Sequence, residues 1–202
     1  MTPTRLGLML AVTMLCGWTG APATAADDPK FPATGQTTSY RVGDDGDIQA
    51  GATLRYRVNH NGTITDMNTG LVWEKKSADG SIHDKDIGYT WDDAFAVHVA
   101  TLNAMEFAGY DDWRVPNVKE LQSIVNYENF TPAVSPAFNS NCVAGCTVTT
   151  CSCTISSFYW ASTSYAADPS LYAWAVRFDV GHTDAWFKST GFWVRAVRGG
   201  AK

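Results

Sequence analysis

After its first 25 residues the chain has no apolar run near the roughly 20 residues that a bilayer-spanning helix needs, so nothing in the remainder reads as a membrane span. It also lacks an excess of positive charge: 15 Lys+Arg stand against 20 Asp+Glu, a net charge of −5. A chain of this sign has no field to gather nucleic acid or a simple polyanion. The usual catalytic signatures are missing too, with no Gly-x-Ser-x-Gly, no His-Glu-x-x-His and no phosphate loop. His60, His83, His98 and His182 are scattered, and none lies beside a Ser or Cys nucleophile in a recognisable motif. Cysteine is absent from residues 17–141 and 154–202.

What is present begins with a leader. Arg5 supplies a positive n-region, Leu6 to Leu15 an apolar h-region, and Gly17, Gly20 and Pro22 break the helix. Ala23-Thr24-Ala25 then offers the small residues that a signal peptidase requires. Residues 1–25 are therefore expected to be a signal peptide cleaved after Ala25, sending the protein to the periplasm or out of the cell. Ten apolar residues are too few for an anchor, and Leu15 before Cys16 disfavours lipidation at that cysteine. Cleavage leaves 177 residues with a charge of −6, enough for one compact domain.

Cys142, Cys146, Cys151 and Cys153 remain, an even set in an oxidising compartment, which reads as two disulfides stapling one local loop. Three pairings are open, with Cys151–Cys153 the most strained because one residue separates them. The rival is a zinc site, but the two Cys-x-x-Cys knuckles are missing and no histidine lies nearby. No metal ligand set is assigned.

Residues 26–53 are rich in Gly, Thr and Asp and read as an extended lead-in, with the folded domain over 54–202. Asn61-Gly62 marks a tight turn before the strand-like Thr63-Ile64-Thr65, and Asn68-Thr69-Gly70 a second turn before Leu71-Val72-Trp73. Thr90, followed by Asp93 three positions on, opens a helix. Ala94, Phe95, Val97, Val99, Leu102 and Met105 carry its apolar face to about residue 105. Asn117 caps a second helix, expected to run to about Tyr127. Residues 128–157 form a long loop that the cystines tie down. The rest is strand-like: Tyr159 to Thr163, then Tyr172 to Phe178, Trp186-Phe187 after a turn at Gly181-His182, and Phe192 to Val197. Elements segregated in this way predict an α+β fold.

Five segments in this order resemble a known family. They are Thr34-Gly35-Gln36-Thr37; Gly62-Thr63-Ile64-Thr65-Asp66 with Thr69-Gly70-Leu71-Val72-Trp73; Trp113-Arg114-Val115-Pro116-Asn117 with Lys119-Glu120-Leu121; Tyr159-Trp160-Ala161-Ser162-Thr163; and Val194-Arg195-Ala196-Val197-Arg198-Gly199-Gly200. Together they look like the C-terminal domain of the Legionella collagen-like adhesin, over residues 34–200. The resemblance implies a C-type-lectin-like fold, with a twisted antiparallel sheet flanked by two helices and a long loop that carries binding. It also implies a recognition role. The chain departs from true C-type lectins in lacking the Glu-Pro-Asn or Gln-Pro-Asp triplet of their calcium-bound sugar site, since its comparable segment is Val115-Pro116-Asn117. It is too acidic for the relative's affinity for sulfated polymers, and the trimerising collagen-like stalk is absent.

The candidate binding patch comes from the aromatic C-terminal part. Tyr165 and Trp186 lie beside turn-like polar residues and, with Asp184, His182 and Lys188, form the expected ligand-binding set, whereas Tyr172, Trp174 and Phe178 share a strand face and are assigned to the core. Calcium is suggested only weakly, by Asp44-Asp45-Gly46-Asp47 and by Asn59-His60-Asn61-Gly62 with Asp66. Neither has the ligand spacing of an oxygen cage, and solvated turns account for both. The expected function is non-catalytic recognition of a surface glycan or cell-surface protein. The alternatives are an assembly subunit of an envelope complex or filament, and an enzyme of the formylglycine-generating type, which shares the same fold.

Overall fold

The computed structural model describes residues 31–200; the leader, with Cys16, lies outside them. The fold is α+β, with two antiparallel sheets where the sequence suggests one. In the first, β1 (Tyr56–Val58), β2 (Thr63–Asp66), β3 (Leu71–Glu74) and β7 (Val197–Gly199) lie in the order β1-β2-β3-β7, so the first and last strands of the domain belong to one sheet. In the second, β4 (Phe158–Ser164), β5 (Tyr172–Arg177) and β6 (His182–Phe187) form a meander.

Both early hairpins turn where the residues demand it. Gly62 takes φ +85°, a left-handed conformation that costs glycine nothing, and the Asn59 N–H donates to the Thr63 carbonyl at 2.9 Å. At the second turn the Asp66 carboxylate accepts from Asn68 N–H at 2.9 Å and from the Thr69 hydroxyl at 2.7 Å, an Asx-turn.

The first helix starts where Thr90 predicts: its hydroxyl accepts from Asp93 N–H at 3.2 Å. It is not one continuous α-helix. An α-turn at Trp91–Asp93 (α2) passes into a π-helical stretch at Ala94–Val99 and then into α3 (Ala100–Ala104). Ala94, His98 and Leu102, at successive four-residue steps, face inward together with Val99, while Val97 and Met105, expected on the apolar face, point to solvent. The second helix, α4 (Val118–Gln122), has a full capping box between Asn117 and Glu120 and ends five residues before Tyr127. The chain leaves it because Val125 bridges to Val134.

In the second sheet β4 and β5 place side chains in a core on each side, whereas β6 is exposed or half-buried along its length. Tyr159, Ala161, Val176 and Phe178 enter one cluster with Ile64, Trp73, Leu121 and Phe138. Phe158, Trp160, Ala173 and Ala175 enter another with Leu102, Trp113 and Phe192. Residues Phe192 to Val197 form no single strand. They cross between the sheets through bridges of Phe192 to Tyr89, Trp193 to Tyr159 and Val197 to Arg114.

The cystines pair Cys142–Cys153 and Cys146–Cys151, leaving the strained 151–153 pairing unused. They do not hold the long loop alone. Ser140 and Ser152 exchange backbone bonds at 2.7 and 2.9 Å, and Cys153 N–H donates to the Lys76 carbonyl at 2.9 Å. From residue 31 the lead-in carries the short α1 (Asp45–Ile48) and is docked by Glu128, whose carboxylate accepts from Thr37 and Thr38 N–H at 2.7 and 3.1 Å.

Candidate functional site

The five residues expected to form a patch do not share one face. Antiparallel pairing sets Trp186 opposite Ala173, and Phe187 opposite Tyr172. Successive side chains on a strand alternate, so His182, Asp184 and Trp186 fall on one side of β6 and Phe187 on the other. Trp186 packs against Phe158 and Phe192, at 5.1 and 5.6 Å between ring centroids, and its indole N–H is buried with no partner among the described residues. His182 is exposed and meets the edge of the Phe158 ring at 5.4 Å. Asp184 is exposed, and its carboxylate accepts from Ala185 N–H at 2.8 Å. Lys188 is committed within the chain: its ammonium lies 3.7 Å over the Trp91 ring and donates to Ser164 Oγ at 3.1 Å and to the Pro169 carbonyl at 2.8 Å.

Tyr165 keeps different company. On the connection after β4, its ring lies 5.5 Å from Trp174 and 6.2 Å from Tyr172, edge-on to both, and Tyr172 lies 4.3 Å from Phe187. These four rings gather at one end of the three-stranded sheet. The middle of the same face is covered: α4 packs on β4 and β5, and Gln122 Nε2 donates to Thr183 Oγ1 at 2.7 Å. Beyond that cover the rings are half-buried, with Phe187 49% exposed. Of the strand residues assigned to the core, Phe178 is fully buried and Trp174 packs against the same core cluster with part of its surface open, while Tyr172 is half-buried among the four rings. Among the described residues neither the Tyr165 nor the Tyr172 hydroxyl has a hydrogen-bond partner, so both polar tips are available. A platform of this kind offers apolar ring faces with donors at their rims.

A second concavity, an open groove of about 670 Å³, lies on the four-stranded sheet beside Arg57, Asn59, Asn61, Thr63, Thr65 and Tyr110. Its polar groups largely satisfy one another. Asn59 Nδ2 donates to the Thr63 and Thr65 hydroxyls at 2.8 and 2.9 Å, Thr63 Oγ1 to Asn61 Oδ1 at 2.8 Å, and Arg57 Nε to Asn59 Oδ1 at 3.1 Å. The acidic lead-in is similarly occupied: Asp44 accepts from the N–H groups of Tyr40, Arg41 and Asp47, and Asp47 from that of Gly43.

The sequence reading missed a charged cluster in the core. Glu74, fully buried at the end of β3, accepts from His83 Nδ1 at 2.8 Å, His98 Nε2 at 2.9 Å, Lys76 Nζ at 3.2 Å and Ala196 N–H at 3.0 Å. Burial alone raises its pKa, but His98, Lys76 and His83 together hold it well below the ordinary carboxylate value. Burial also lowers the pKa of His98, whose other ring nitrogen has no partner among the described residues. Arg195, buried as well, donates to the Glu74 carbonyl at 2.8 Å, the Cys153 carbonyl at 2.6 Å and the Thr154 hydroxyl at 2.8 Å. A carboxylate and two imidazoles thus converge, yet Glu74 and His98 show no surface to solvent and His83 almost none. The sequence hint was the apolar run ending in Trp73-Glu74, a charge placed where a buried strand should continue.

The family model described as the Lcl C-terminal domain matches residues 62–198. No curated protein matches this chain.

Proposed function

Since the chain belongs to the Lcl C-terminal domain family, we propose that it is an exported, non-catalytic recognition module of C-type-lectin-like architecture that binds surface glycan through Tyr165, Tyr172, Trp174 and Phe187. The four-ring platform carries this reading. The C–H faces of sugar rings are apolar and stack on aromatic faces, while the free phenolic hydroxyls reach the sugar hydroxyls. Tyrosine and tryptophan supply this contact area with few rotatable bonds, so little entropy is lost on binding. Export is supported by the leader-like first 25 residues and by the two cystines.

The burial of Glu74, His83 and His98 supports the non-catalytic reading, because a general acid or base must reach the proton it moves. The test is a glycan array followed by calorimetry on any hit. Trp174→Ala and Tyr165→Ala should each weaken binding at least about tenfold, or ~1.4 kcal/mol. Folded protein that is silent on the array but captures a cell-surface protein through the same rings would replace the glycan with a protein ligand. Loss of neither interaction in the variants would remove the platform from the account.

A further inference from the structure

The two cystines touch each other. Cys153 Sγ lies 3.9 Å from Cys146 Sγ and 3.9 Å from Cys151 Sγ, both contacts between different disulfides. Cys142, Cys146 and Cys153 hold their sulfur atoms within 4.8 Å of one another. A tetrahedral tetrathiolate centre with metal–sulfur bonds near 2.3 Å has sulfur–sulfur edges of about 3.8 Å. Two of the four distances between the cystines, Cys153 to Cys146 and Cys153 to Cys151, already have that spacing, and opening both S–S bonds frees the bonded pairs to widen and Cys151 to close on Cys142. We propose that reduction converts this cluster into a binding site for one soft divalent cation of the Zn²⁺ type, held by Cys142, Cys146, Cys151 and Cys153.

Two further observations support it. The backbone around the cluster is held by bonds other than the disulfides: Ser140 to Ser152, Ala78 N–H to the Cys146 carbonyl at 2.9 Å, Gly145 N–H to the Ala78 carbonyl at 2.6 Å, and Cys153 N–H to the Lys76 carbonyl. The sulfur atoms therefore stay gathered once the cystines open. The charge is also suited to the site. A tetrathiolate complex of a divalent cation carries −2, and the buried Arg195 guanidinium, bonded at the Cys153 carbonyl, finds only carbonyl and hydroxyl oxygens as hydrogen-bond partners among the described residues. A neighbouring guanidinium favours thiolate over thiol.

The chemistry balances with a dithiol as reductant. Two dithiol molecules deliver four electrons and four protons, cleave both S–S bonds to four thiols and depart as two disulfides. Cation binding then forms four metal–sulfur bonds and releases four protons, so the site competes with protons and with reoxidation.

The experiment uses the mature chain, reduced under nitrogen with a phosphine and titrated with Co²⁺. The expected result is one equivalent bound, with a thiolate-to-metal charge-transfer band and the visible bands of tetrahedral cobalt. Zn²⁺ should displace the cobalt mole for mole and protect all four cysteines from alkylation, and oxidised protein should show none of this. Cys142→Ser should weaken Zn²⁺ binding at least about tenfold, leaving three ligands. A reduced chain that stays folded yet gives no charge-transfer band, or leaves two or more cysteines open to alkylation with Zn²⁺ present, overturns the proposal. So does a reduced chain that unfolds and does not refold when Zn²⁺ is added.

Discussion

Glu74 is the residue on which the interior turns. Its carboxylate has no access to water and balances Lys76 while accepting from two imidazoles and one backbone amide. Removing one member of a buried ion pair leaves its partner charged and unsolvated, which costs about 3–5 kcal/mol. Glu74→Ala should therefore lower the unfolding free energy measured by urea denaturation by that much or leave the protein unfolded, whereas Val97→Ala, on the exposed side of the helix that carries His98, should change it by less than about 0.5 kcal/mol. The cluster also sets the pH response. The pKa of His98 is lowered in the folded state, so the unfolded chain takes up that proton first and stability falls as pH drops through the ordinary histidine value of about 6.5. The Glu74 pKa is lowered too. Its contribution is intact above the ordinary carboxylate value of about 4.3 and is lost below it. Urea denaturation between pH 8 and 3.5 should show stability declining in two stages, the first approaching ~1.4 kcal/mol per pH unit. A His98→Gln variant should lack that first stage.

At the scale of the element, the π-helical turn and the cystine loop show how local pattern gives way to packing. Thr90 starts its helix as the residues predict, and His98, four residues after Ala94 and four before Leu102, shares their buried face and meets Glu74. The helical pattern marks His98 as inward-facing, but its partner lies on a different element that local pattern does not show. The long loop is the reverse case, since its cysteines announce it in the sequence. Each cystine removes chain entropy from the unfolded state according to the loop it closes. Opening Cys142–Cys153, which spans 11 positions, should cost about 3 kcal/mol, and opening Cys146–Cys151, which spans 5, about 2 kcal/mol. Paired Cys→Ser variants followed by thermal denaturation should reproduce that order. The α4 cap is a smaller device: Asn117→Ala should cost about 1 kcal/mol by releasing two N–H groups at the start of a five-residue helix.

At the scale of the whole molecule, the net charge of −5 and the neutral platform make a joint prediction. Binding driven by ring stacking and hydroxyl hydrogen bonds is screened little by salt, whereas binding to a polyanion releases counterions and weakens steeply. Affinity for a glycan ligand should change less than about threefold between 50 and 500 mM NaCl by calorimetry. A tenfold or larger loss would mean that charge, and a different surface, dominates recognition. The platform itself exists only because α4 covers one part of the second sheet and leaves the other end open.

Much of this architecture is readable in the linear chain. The Asn61-Gly62 and Asp66–Gly70 turns and the caps at Thr90 and Asn117 rest on interactions within a few residues, and the α+β order follows local patterns; the four clustered cysteines announce two cystines, but only the fold decides which cysteine pairs with which. The division into two sheets, the packing of β4 and β5 into a core on each side, and the meeting of Glu74 with His83, His98 and Lys76 depend on contacts between segments far apart in the chain. The aromatic residues of the last third were visible as candidates, but not which of them face out. A strand's alternation says that Trp186 and Phe187 point to opposite sides; only packing decides which side becomes core. That is why Trp186 lies against Phe158 and Phe192 on one side, while Tyr172 and the half-buried Trp174 meet Tyr165 on the other.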